Sequence, residues 1–207
     1  MSSQNDDMPG RRGITIMLAT ELLQRQFSSV NMIFHDVADD LSPEEWTTRM
    51  LPDTNLPGFD LWHAARTQDW ALHTLVRGVD EVIREPRWAN QGALATVGLG
   101  VGMTREEADR LAFEVTKEAV VAYADAVHAV LLEWLGSIDE RVLDDQPDIM
   151  GHYRNHPEYL TPAMQAEVPW AAQQPPVWRC LAPALGHVRD HLSEMDLMKR
   201  LWRRQQG

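Results

Sequence analysis

Apolar residues recur along the first part of the chain at Leu23, Phe27, Val30, Phe34, Val37 and Leu41, at alternating spacings of four and three. That rhythm places them on one stripe of an amphipathic helix, expected over Ile14–Leu41. In "LSPEEW", Ser42 reads as an N-cap, Pro43 as the first helical residue and Glu45 as the partner in a capping box, so a short helix or turn starts there. "LPDTNLPG" breaks the chain. A second helix is expected from Phe59 to Arg77, stopped by Gly78. One of its faces carries His63, Thr67, Trp70 and Thr74 and is more polar than a usual core stripe. Thr104 and Glu107 form the clearest capping box, opening a third helix expected to reach Leu135 and stop at Gly136. Its buried side is read as Leu111, Val115, Ala119, Ala122, Ala126, Val130 and Trp134. A last helix, after "QPPVW" and on to Arg203, carries the stripe Val177, Cys180, Ala184, His187, His191, Met195, Met198 and Trp202.

Two stretches between these segments are irregular. Arg84–Met103 is rich in glycine, but its "GLGVG" has no following Lys-Ser/Thr and no strand around it, so it is read as a flexible loop and not a nucleotide cradle. Ile138–Pro176 is broken by prolines and is read as an insertion or cap over one end of a bundle. Four long helices and almost no strand signal define an all-α fold, a four-helix bundle with an irregular insertion between the third and fourth long helices. Residues 14–207 form a single domain behind a disordered tail, 1–13.

Charge narrows the partners. A net charge of −12 and a pI near 5.0 disfavour nucleic acid and anionic membrane surfaces. The basic "KRLWRRQQG" end reads as a cationic helix terminus. The single cysteine, Cys180, rules out an internal disulfide and suits a reducing cytoplasm. No apolar run approaching a membrane span is expected.

The chemistry concentrates in histidines. His187 and His191 stand four apart, which puts their side chains about 6 Å from one another on one helix face. The stripe they share is apolar, so they are expected to face inward, where one metal ion would satisfy both. Val188, not Glu, follows His187, so the protease motif H-E-x-x-H is missing. A di-metal carboxylate site is disfavoured too, since only Asp60-x-x-His63 and Asp125-x-x-His128 are present. His63 is the best candidate for a third ligand; His35, His73 and His128 compete, and His152 and His156 fall in the irregular region. Asp190 and Glu194 could orient ligands or move a proton. Arg66 and Arg189 could bind a carboxylate on a thiol cofactor or substrate. Cys180 reads as a small buried residue.

With "LPGFDLWHAARTQDW" carrying His63 and "LAPALGHVRDHLSEM" carrying His187 and His191, residues 14–203 resemble the DinB-like superfamily of metal-dependent hydrolases and thiol transferases. The resemblance implies a divalent ion, zinc or nickel, held by His63, His187 and His191 with coordination positions left open. It implies small thiols such as mycothiol or bacillithiol as co-substrates in S-transfer, isomerisation or hydrolysis. A small-molecule substrate and a homodimer are the expected partners. A non-catalytic metal-binding or stress-response dimerisation module is the alternative.

Overall fold

A computed structural model describes residues 17–207; the expected tail 1–13 and the start of the first helix at Ile14 lie outside them. The described residues are all-α, with no strand among them. Helix α1 (Ala19–Asp40) buries Phe27, Val30, Phe34, Val37 and Ala38, the stripe its spacing predicts, with Leu23 half-buried. Its first turn is closed by Glu21, whose carboxylate accepts from the Leu18 amide at 3.3 Å. The capping box of α2 (Pro43–Trp46) forms as expected, with the Ser42 hydroxyl and the Glu45 carboxylate each accepting the other's amide hydrogen.

Helix α3 (Pro57–Trp70) is the centre of the molecule: every one of its residues is buried. That explains its polar face. His63, Arg66, Thr67, Gln68 and Asp69 all find partners inside the protein, so a central helix can carry them without water. It runs on as π-helical turns, Ala71–Arg77, to end at Gly78. After α4 (Pro86–Ala89), the glycine-rich loop leads to α5 (Arg105–Glu114) and α6 (Lys117–Ser137).

The third expected helix is therefore two. Thr116 adopts an extended conformation (φ −89°, ψ 150°), and its hydroxyl accepts from the Ala119 amide at 3.2 Å, starting a fresh helix. The break shifts the buried side to Val120, Tyr123, Ala124, Val127, Leu131 and Leu135, and leaves Ala119, Ala122, Ala126, Val130 and Trp134 partly or fully exposed. Contrary to the sequence expectation, α6 is long and apolar enough to cross a membrane by length and composition, with a mean hydropathy of 1.4. Here its buried side packs on α1 and α3.

The last helix is segmented as well: α9 (Val177–Cys180), a π-helical stretch Pro183–His187, and α10 (Val188–Gln206). Pro183 has no amide to donate, which loosens the ladder where the π turn sits. Long helices pack α1 on α6 and α10, and α3 on α5, α6 and α10. Between α6 and α9, α7 (Ile149–Asn155) and α8 (Pro162–Glu167) join short 3-10 turns. There α7 lies against the π-helical end of α3. The basic C-terminal end is tied down by ion pairs: Arg203 binds Glu45 and Asp40, and Lys199 binds Asp40.

Two tests follow from these caps and ties. Thr116→Ala should cost about 1 kcal/mol in denaturant unfolding, since an N-cap is lost in mid-chain. Arg203 beside Glu45 holds that carboxyl down at about 2 against an ordinary 4.5. The stability it contributes is fully present above pH 4.5 and is lost as pH falls toward 2. Wild type should therefore exceed Glu45→Gln by less than about 1 kcal/mol near neutrality. The two unfolding curves should converge at pH 2.

Candidate metal centre

His63 sits in the second turn of α3, held from behind. Its Nδ1 lies 2.6 Å from the Leu99 carbonyl, which can only accept, so Nδ1 carries the hydrogen and the Nε2 lone pair points forward. His187 closes the π-helical stretch, and His191 follows one turn into α10. The Nε2 atoms of His63 and His187 are 3.2 Å apart, and those of His191 and His187 are 3.0 Å apart. The His63 ring stands nearly perpendicular to the other two, at 86° and 88°.

These spacings fit a shared ion. Two nitrogens each about 2.0–2.1 Å from one metal, at tetrahedral to right angles, lie roughly 2.9–3.4 Å apart. Hydrogen bonding alone fits less well: a single hydrogen cannot fill both contacts at His187 Nε2. Burial pushes His63 and His191 down to about 4, with the neighbouring imidazoles adding to it, so both are neutral at pH 7 and offer lone pairs. Among the described residues, this is the one group of three His, Cys, Asp or Glu side chains close enough to hold an ion together.

The pair does not face the core as its stripe implied. His63 is buried, His191 half-buried and His187 exposed. The buried line of α10 is Val188, Leu192 and Met195, one position round from the histidines. What the three imidazoles face is a cavity of about 640 Å³, whose walls include Phe59, Trp70, Leu99 and Trp170.

The glycine loop is part of the centre. Gly98, Gly100 and Gly102 all hold positive φ, and a Cβ on Gly100 would come within 2.7 Å of the Phe59 ring. Leu99 between them is buried. The stretch read as a flexible loop is thus seated against α3, where it presents the carbonyl that orients His63.

Arg66 secures that loop from below. Its Nε donates to the Gly98 carbonyl at 3.1 Å, and its remaining nitrogens donate to Glu81 at 2.6 Å, to Tyr123 at 3.0 Å, to Tyr159 at 3.2 Å and to Asp69 at 3.3 Å. The side chain is 1% exposed. Arg66 is therefore an internal strut, engaged on every nitrogen, neither at the surface nor free to be the carboxylate binder it was a candidate for. Arg189, Asp190 and Glu194 are exposed, and none of them lines the cavity; Arg189 donates to Gln26 at 3.3 Å.

Glu194 acts instead on Asp60, whose carboxyl is raised to about 6, by burial first and by Glu194's charge in addition. The Cys180 thiol is buried and pushed up to about 12, inert as expected. The rival histidines are used elsewhere: His35 pairs with Asp125, His73 with Asp69, and His152 Nδ1 donates to the Leu75 carbonyl. His128 is half-buried and His156 buried, both away from the three. No local pattern marks Glu167, Trp170 or Arg179 as cavity residues, because they come from the proline-broken segment and from α9.

Three histidines from two parts of a helical fold, gathered at the wall of a cavity, define an all-α protein with a candidate three-histidine metal centre. The chain belongs to the DinB superfamily, whose family model matches residues 26–195. No curated protein matches it.

Gly100→Ala tests the loop's role. The added methyl must displace the loop or Phe59, so the fold should survive while divalent-metal affinity falls about 10-fold or more by chelator competition. Unchanged affinity would show that the Leu99 carbonyl does not set the His63 geometry.

Proposed function

We propose that this chain is a metal-dependent enzyme of thiol-transferase type. In this reading His63, His187 and His191 hold one divalent ion, zinc or nickel, and the four long helices form a bundle capped by residues 138–176. One observation carries it: three imidazoles bring their ligand nitrogens within 4.8 Å of one another, and all three line the same cavity. A closed structural site would add a fourth protein ligand, and no fourth His, Cys, Asp or Glu among the described residues joins the group. The cavity, about 640 Å³, is of small-molecule size.

A divalent ion so held supplies a Lewis acid that makes a thiol or water nucleophilic at neutral pH. The chain's own contribution is orientation and exclusion. The Leu99 carbonyl fixes the His63 ring and tautomer. The Thr67 hydroxyl donates to the His63 carbonyl at 2.9 Å, bracing the same turn. Phe59, Trp70 and Trp170 line the space beside the histidines and keep water from an apolar substrate portion. The reading carries with it a cytoplasmic location and a small thiol as co-substrate.

The purified protein should hold about one divalent ion per chain by elemental analysis, and His63→Ala and His187→Ala should each remove it. Cobalt-substituted protein should develop a thiolate charge-transfer band when a small thiol is added. Metal retained after loss of either histidine would disprove the ligand set, and a thiol-insensitive cobalt spectrum would disprove the thiol role.

A further inference from the structure

We propose that the cavity takes an amphipathic small molecule bearing one carboxylate, and that Arg179, at the end away from the histidines, binds it. The inference rests on the cavity being the substrate site and names the class of molecule it admits.

Three arginines were open to such a role. Arg66 has every nitrogen engaged by protein oxygens. Arg189 lies outside the cavity and reaches Gln26. Arg179 alone among lysines and arginines lines the cavity, and among the described residues its guanidinium makes no hydrogen bond or ion pair. Arg179 is exposed, so its planar fork of donors is open to solvent at the cavity and free to take up a carboxylate.

Its position gives the ligand a second point of contact besides the histidines. Arg179, Ala182, Pro183 and His187 all line the cavity, so the cavity follows the chain from α9 to the metal centre. The helix breaks at Leu181 and resumes as the π-helical stretch, so Arg179 and His187 stand on separate segments of that wall. The wall between is largely apolar, with Phe59, Trp70 and Trp170. Of the other polar side chains, Thr67 donates to the His63 carbonyl and Asn55 donates to Asp60 at 2.9 Å, while Trp70 Nε1 is buried without a partner among the described residues. A molecule with a metal-binding donor at one end, an apolar middle and a carboxylate at the other end satisfies all three zones. Glu167 also lines the cavity without a partner among the described residues, and its charge disfavours a ligand with more than one negative group.

Four probes decide the matter: hexanoate, hexanol, 6-mercaptohexanoate and 6-mercaptohexanol. Each is titrated into the metal-loaded protein at low salt, with binding read by tryptophan emission and by calorimetry. Each carboxylate should bind about tenfold tighter than its alcohol. Arg179→Gln should bring that ratio close to one, whereas Glu167→Gln, a charge change in the same wall, should keep or raise it. A ratio near one in the wild type overturns the proposal. So does a ratio that survives Arg179→Gln, which would mean that the carboxylate sits on the metal instead. The sulfur comparison reports separately on the thiol role: 6-mercaptohexanoate binding no tighter than hexanoate would remove the thiol reading while the Arg179 ratio still stands.

Discussion

A guanidinium with almost no contact with water lies at the middle of this protein, and the rest of the structure is arranged around it. Removing such a charge from water is costly unless every donor is met. Arg66 is met by Asp69 on its own helix, Glu81 beyond the end of α3, Tyr123 on α6 and Tyr159 between α7 and α8. The carboxylates are met in turn: Asp69 accepts from the Val82 and Ile83 amides, and Glu81 from the Thr74 hydroxyl. Four separate stretches of chain are thereby required to converge on one point. The same guanidinium reaches the Gly98 carbonyl, and the next carbonyl along holds His63. The demand for a fully satisfied buried charge thus extends, through two consecutive carbonyls, to the orientation of a candidate metal ligand.

Much of this was legible in the sequence because it is local. The α1 stripe, the capping boxes at Ser42 and Thr104, and the i, i+4 histidines each depend on residues a turn apart. The break at Thr116 was not legible, because its third following residue is Ala119 and offers no reciprocal cap. A lone threonine after a β-branched valine resembles helix interior. Arg66 was misread for the opposite reason: apart from Asp69 one turn on, its side-chain partners lie 15, 57 and 93 residues away, and an i, i+3 Arg–Asp pair is equally at home on a surface. The inward orientation of His187 and His191 failed because a 3.6-residue wheel was carried through Pro183–His187, where the turn is wider.

The two halves of the metal centre differ in how they are held. His63 belongs to a helix with no exposed residue and is fixed from behind by a seated loop. His187 and His191 belong to a helix with solvent on one face. The centre therefore has a rigid half and a more compliant half, and the cavity opens between them.

The π-helical stretch Pro183–His187 makes this separation adjustable over evolutionary time. Each residue added to or lost from a helix turns everything upstream by about 100° relative to everything downstream. Losing one residue there would restore an ordinary α-helix and swing Arg179 off the cavity wall, while leaving His187 and His191 in register with each other. A single-codon insertion or deletion at this joint is thus a route by which relatives with the same metal ligands could come to accept differently charged molecules.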